Sequence, residues 1–292
     1  GKLIVVCVCR FRFGFVVGGV RVGCVRDASR RLRRRIGMDG CGHLRLIDQL
    51  KQLIDSGADM VILDSRPMPE YRNMSIPTGI DCPGAELVYR VKQIVNDPDT
   101  LVVVNCAGRT RSIIGSQSLI NAGLENRVVA LENGTMGWEL AGFQVDRGNE
   151  FHAADPSQAA SDWAMQAVAA VADRFGVARI SHDLLAEWQA DRTRTTYLLD
   201  VRTPDEYTDG HLPGSRSAPG GQLVQATDEY VATRNARLVL VDDNGVRATM
   251  TASWLRQMGW NDAVVLDRAL DGPALETGLP PRRSIGPAPT IK

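Results

Sequence analysis

A cysteine between an apolar run and a helix-like stretch is the strongest chemical signal in these 292 residues. Residues 101–105 (LVVVN) are short and apolar enough to form a buried strand, and Cys106-Ala107-Gly108-Arg109-Thr110-Arg111 follows at once. From Ser112 the sequence reads as a helix start. A loop in that setting turns successive backbone N–H groups toward the sulfur, at the positive end of a helix dipole. Arg109 and Arg111 add fixed positive charge. Such surroundings favour the thiolate, so Cys106 is expected to act as a nucleophile. The plainer alternative is a small buried residue at a strand end, the usual fate of a free cysteine. Two nearby arginines, Gly108 and the strand-to-helix setting count against it.

The elements that must hold this loop read as an α/β unit. Leu46, Ile47, Leu50, Leu53 and Ile54 keep helical spacing ahead of a strand at 60–64. Leu184, Leu185 and Trp188 do the same ahead of 197–200, with Ser181 as N-cap. Strands alternating with helical patterns predict a mostly parallel sheet flanked by helices. Ligands in such sheets sit beyond the carboxyl ends of the strands, where Cys106 falls. The length predicts two domains, each able to bury its own core. Between them, Asp155-Pro156-Ser157 opens an Ala-rich helix to about Phe175, with Trp163, Ala167 and Val171 (or Ala170) along one stripe. That pattern reads as a packed connector.

Four motifs in order resemble the rhodanese family of sulfurtransferases. Residues 61–71 (VILDSRPMPEY) resemble its strand followed by Asp-x-Arg and Glu-Tyr. Residues 76–83 (IPTGIDCP) resemble its Ile-Pro-Gly-Ala turn, with Thr78 as an extra residue. The cysteine loop comes third, and residues 133–138 (NGTMGW) resemble its closing Gly-Gly-x-x-x-Trp. The resemblance covers about residues 44–145. It implies that Cys106 is catalytic and that Ala107, Gly108, Arg109, Thr110, Arg111, Asp64 and Arg66 bind substrate.

Loop length separates two chemistries on similar scaffolds. Cysteine-dependent phosphatases hold Cys-x5-Arg around a phosphate, whereas Cys106 to Arg111 is Cys-x4-Arg. A smaller ring of amides suits a persulfide sulfur better than a tetrahedral phosphoryl group. The expected reaction is attack of the Cys106 thiolate on the outer sulfur of thiosulfate or a persulfide donor, giving Cys–S–SH. The amides of residues 107–111 would stabilise the outer sulfur as an oxyanion hole stabilises oxygen. Arg109 and Arg111 would bind the anionic donor, although Arg111 could equally tie the loop to the domain. A thiol or cyanide acceptor then regenerates Cys106. This scheme needs no cofactor and no metal. A second reading, from a different class, is a persulfide carrier or regulatory binding module that delivers sulfur to a protein partner.

The chain then repeats itself. Residues 197–207 (YLLDVRTPDEY) match the segment around Asp64 at an offset of 136, so Asp200 stands for Asp64. Residues 210–215 (GHLPGS) follow the family turn more closely than the first copy does. Residues 238–248 (LVLVDDNGVRA) take the place of the cysteine loop, with no thiol. Counting along the strand sets Asp243 opposite Cys106, whereas spacing to Arg247 sets Asp242 there. Either aspartate would repel an anionic donor. The closing tryptophan is also missing, since 264–270 reads VVLDRAL. His211 is expected to shape the turn, and the adjacent Asp242 and Asp243 are a weak metal pair. The fold class is therefore α/β, as two tandem rhodanese-like domains, the second degenerate. Familiar two-domain rhodaneses place the inactive copy first, so the reversed order points to a piece of a longer multi-rhodanese chain.

Charge divides the chain unevenly. Residues 1–36 carry ten basic residues and one acidic residue, Asp27, while the remainder carries 24 basic and 33 acidic. The mildly acidic body argues against nucleic acid as a partner. Arginines 10, 12 and 21 interrupt the apolar stretches of the head before any reaches spanning length, so no membrane association is expected. Six cysteines, none beyond Cys106, form neither a disulfide framework nor a zinc pattern, which points to the cytoplasm. Cys7-x-Cys9 is a weak metal candidate. Cys82 reads as a core residue, or as a thiol able to form a disulfide with Cys106. The expected organisation is a basic segment at 1–36, an active domain at 37–150, a connector at 151–180, a degenerate domain at 181–281 and a Pro-rich tail at 282–292.

Overall fold

The computed structural model describes residues 16–17, 20–21, 44–271 and 274–279. The tail at 282–292, Cys7-x-Cys9 and all but four residues of the basic segment lie outside the described residues. Strands β1 (Val16–Val17) and β2 (Val20–Arg21) pair antiparallel.

The first module runs α1 (Leu44–Asp55), β3 (Met60–Asp64), α2 (Met68–Asn73), β4 (Ile80–Asp81), α3 (Glu86–Ile94), β5 (Leu101–Asn105), α4 (Thr110–Asn121), β6 (Val128–Ala130) and α5 (Gly134–Leu140). Helix α6 (Gln158–Phe175) follows. The second module holds β7 (Arg179–Ile180), α7 (His182–Ala190), β8 (Thr196–Asp200), α8 (Pro204–Asp209), β9 (Arg216–Ser217) and α9 (Gly220–Gln225). It closes with α10 (Thr227–Tyr230), β10 (Arg237–Val241), α11 (Val246–Gln257) and β11 (Ala263–Leu266).

Both sheets are parallel. Their orders are β4-β3-β5-β6 and β7-β11-β10-β8-β9, the same arrangement with one edge strand added. Central strands are buried on both faces, which is why 101–104 and 238–241 read as continuous apolar runs. Strands β3, β4 and β5 and helices α2 and α4 recur as β8, β9, β10, α8 and α11 at a constant offset of 136 residues. Asp242, not Asp243, therefore occupies the position of Cys106.

Helix α6 starts at Ser157, whose side chain accepts the N–H of Ala160. Its buried stripe is Ala160, Ala164, Val168 and Val171, while Trp163 and Ala167 are only partly covered. The expected stripe was rotated because α6 has apolar neighbours on two sides: α3 of the first module and α11 of the second. One core accordingly joins Leu87, Val91 and Leu119 to Val168, Val246 and Met250. Each such aliphatic side chain contributes roughly 1.5–3 kcal/mol when fully buried.

Candidate active site

The cysteine loop is fixed from both sides of the sheet. Ser65 N–H and Oγ both donate to Asn105 O, at 2.9 and 2.7 Å, which locks the end of β5 to the end of β3. Asn105 Nδ2 donates to Asp64 Oδ2 and to Thr135 Oγ1. Thr135 and Met136 N–H groups donate to the carbonyls of Cys106 and Ala107 at 2.9 and 3.0 Å. That approach requires Gly134: its φ is +54°, and a Cβ there would lie 2.0 Å from Cys106 O.

Cys106 is 1% exposed, at the floor of the loop. Its thiol donates to Ser112 Oγ at 3.5 Å, and that hydroxyl donates to Arg109 O at 3.0 Å. Ala107, Gly108 and Arg109 are half-buried and Thr110 is exposed, so the loop forms the boundary between sulfur and solvent. Helix α4 begins at Thr110, two residues before the expected start, which brings the N-terminus closer to the cysteine.

The two loop arginines are both paired. Arg109 Nη2 donates to Glu132 Oε1 at 2.9 Å. Arg111 meets Glu70 through two parallel bonds of 2.7 Å, the fork geometry of a strong guanidinium–carboxylate pair. The Arg111 bond holds the Glu70 carboxyl below its usual range. Burial works against the Arg111 charge, but Glu70 and the nearby Cys106 sulfur outweigh it and raise its pKa. Arg111 Nη1 also reaches Gln222 Oε1 of the second module, at 3.5 Å.

Asp64 and Arg66 are buried and engage each other beneath the loop. Arg66 pairs with both Asp64 oxygens at 2.9 and 2.7 Å and donates to Met74 O, and both side chains are buried. Asp200 and Arg202 repeat the arrangement in the module without a cysteine, with Gly210 O as acceptor. The pair closes the β3–α2 connection. Cys82 is fully buried beside Leu87, Val88 and Val91, and burial pushes its thiol well up. His211 is also buried, its ring stacked on Tyr207 with centroids 3.8 Å apart, as expected of a turn residue. Among the described residues no group of three or more His, Cys, Asp or Glu could hold a metal ion. No described helix is long and apolar enough to cross a membrane.

The loop of the second module is built around a carboxylate. Asp242 is buried, and its oxygens accept the N–H groups of Gly245 at 2.7 Å and Ala248 at 3.0 Å. Burial pushes its carboxyl up to about 6 even though both amides favour the anion. Arg247 is fully buried and meets Glu206, Asp243 and, across the module boundary, Glu86.

Two such modules in series match one family description, the rhodanese-like domain, over residues 46–141 and 181–272. The chain belongs to the rhodanese-like domain family. A crystal structure of thiosulfate sulfurtransferase from Pseudomonas aeruginosa is similar at 53% identity and a TM-score of 0.77, over 87% of this chain and 48% of that one. An HTH-type transcriptional regulator of Mycobacterium tuberculosis is 32% identical over 90 residues, which are 31% of this chain and 39% of the regulator. The rhodanese-like chain thus spans about half the length of the former and two fifths of the latter. Sequence reasoning missed Ser112, Glu70, Glu132 and Gln222. Glu70 was quoted only as part of a motif, and nothing local marks Gln222, which reaches the loop from 111 residues away.

Proposed function

We propose that the chain is a sulfurtransferase that carries sulfane sulfur on Cys106. The thiolate attacks the outer sulfur of thiosulfate or of a persulfide. A new S–S bond forms to Cys106 as the donor's S–S bond breaks, and sulfite or the donor thiolate leaves with the electron pair. A thiol or cyanide acceptor then attacks the outer sulfur and releases Cys106 as thiolate. Arg109 and Arg111 offset the charge of the anionic donor, Arg111 while it also ties the loop to α2 through Glu70. A reducing compartment such as the cytoplasm suits this chemistry, because the nucleophile must stay a free thiol; Cys82 and Cys106 are both unpaired.

The observation that carries this reading is the place of Cys106, between the carboxyl end of β5 and the N-terminus of α4 with Arg109 and Arg111 in the same loop. The guanidinium of Arg111 lies near enough to that sulfur for a negative charge there to raise its own pKa, so the loop offers positive charge to an anion. The similarity to a thiosulfate sulfurtransferase supports the same chemistry. Intact mass after thiosulfate treatment tests it. The chain should gain one sulfur, about 32 Da, and Cys106→Ser should gain none. Equal labelling of both, or of neither, would refute the reading. Similarity to part of a transcriptional regulator favours a second reading, a sulfur-bearing regulatory module. Stable persulfide with negligible thiocyanate formation from cyanide would distinguish it.

A further inference from the structure

The two modules meet as a pseudo-symmetric pair. Positions 84 and 85 correspond to 220 and 221 at the offset of 136. A Cβ on Gly84 would lie 3.3 Å from Gly221 Cα, and one on Gly220 would lie 2.8 Å from Ala85 Cβ, so one contact is made twice. Trp254 Nε1 donates to Ser118 Oγ at 2.8 Å, and these two positions are also equivalent. This is the self-complementary pattern of a two-fold interface, written in one chain.

That symmetry is broken by one pair of side chains. Glu86 opens α3, and its counterpart in α9 is Gln222. Each reaches across to the loop arginine of the other module. Glu86 forms a 2.9 Å ion pair with Arg247, which also meets Glu206 and Asp243 and is fully buried. Gln222 makes only a 3.5 Å neutral contact with Arg111, whose carboxylate partner is Glu70. The module without a thiol therefore has its loop arginine enclosed by three carboxylates. The module with the thiol receives an uncharged side chain at the same place.

We propose that Gln222, carried by the second module, determines which reagents reach Cys106, because a neutral residue facing Arg111 admits anionic donors that a carboxylate would repel. The proposal deepens the sulfurtransferase reading and rests on it for the identity of the donor. It assigns the degenerate module a wall of the site in place of a second reaction centre.

Alkylation of Cys106, followed by peptide mass mapping, reads this charge without any sulfur transfer. The ratio of the iodoacetate rate to the iodoacetamide rate should fall about tenfold in Gln222→Glu and stay within about twofold in Gln222→Met. In Gln222→Lys it should rise, which keeps the test decisive if the glutamate variant does not fold. With thiosulfate and cyanide, Gln222→Glu should raise KM for thiosulfate about tenfold while kcat changes less than threefold. An alkylation ratio unaffected by the sign of residue 222 would overturn the proposal. Loss of the ratio in Gln222→Glu from a wild type that transfers no sulfur would overturn the sulfurtransferase reading and leave the role of Gln222 intact.

Discussion

Asp242 stands in the second module where Cys106 stands in the first, and the amides of Gly245 and Ala248 bind its two oxygens. The turn is not identical in the two copies, since Gly245 has a φ of +83° where its counterpart Arg109 has −145°. The fate of the neighbouring arginine differs as well. Arg111 has one carboxylate, Arg247 has three.

A thiol alone should not revive the second copy. In a Cys106→Ser background, Asp242→Cys is expected to gain no sulfur from thiosulfate, because Glu86, Glu206 and Asp243 leave no net positive charge for the donor to meet. Intact mass checks this, and a gain of about 32 Da would show that the surrounding carboxylates do not govern loading.

Arg247 is fully buried and bonds across the module boundary to the buried Glu86. Arg247→Met leaves Glu86 and Glu206 without their buried partner and should cost about 3–5 kcal/mol in urea unfolding. Adding Glu86→Gln should recover part of the loss, since one stranded charge is removed. A variant as stable as the wild type would mean that the cluster contributes nothing net.

Gly134→Ala tests the clamp on the cysteine loop. The added methyl would collide with Cys106 O at a φ that L side chains rarely adopt, so about 2–4 kcal/mol should be lost by calorimetry. Iodoacetamide labelling of Cys106 should speed up as the loop loosens. Unchanged melting and labelling would show that α5 can shift away freely.

Asp81 gives a pH dependence of defined sign. It is buried at the end of β4, one oxygen has no hydrogen-bond partner, and burial followed by the Asp64 charge pushes its carboxyl up to about 7. The folded chain therefore holds this proton more firmly than the unfolded chain does. Its contribution to stability declines as pH rises from 3.8 through about 7. Asp81→Asn should raise the melting temperature relative to wild type more at pH 8 than at pH 5. The opposite trend would mean that another group stabilises the carboxylate.

Much of the first module was legible because its signals are local. The apolar run at 101–104, the glycine at 134 and the tryptophan at 138 each constrain their own segment, and Trp138 is buried with Nε1 bonded to Gln144 O. The Asp64–Arg66 motif was equally visible, but the full set of its bonds was not. Its third partner is a carbonyl eight residues on, which only the folded turn reveals. The α6 stripe and the choice between Asp242 and Asp243 turned on packing between modules, and Gln222 on their symmetry. No window of sequence contains that relation, because it arises from how two copies of one fold are laid against each other.

The wedge formed by α6 has a mechanical consequence. Its buried stripe is shared by α3 and α11, and the buried Arg247 with its ring of carboxylates joins the same two modules, so prising the halves apart would wet a continuous core. Cys106 thus lies in one half of a rigidly joined pair, with residues 107–110 standing between its sulfur and solvent.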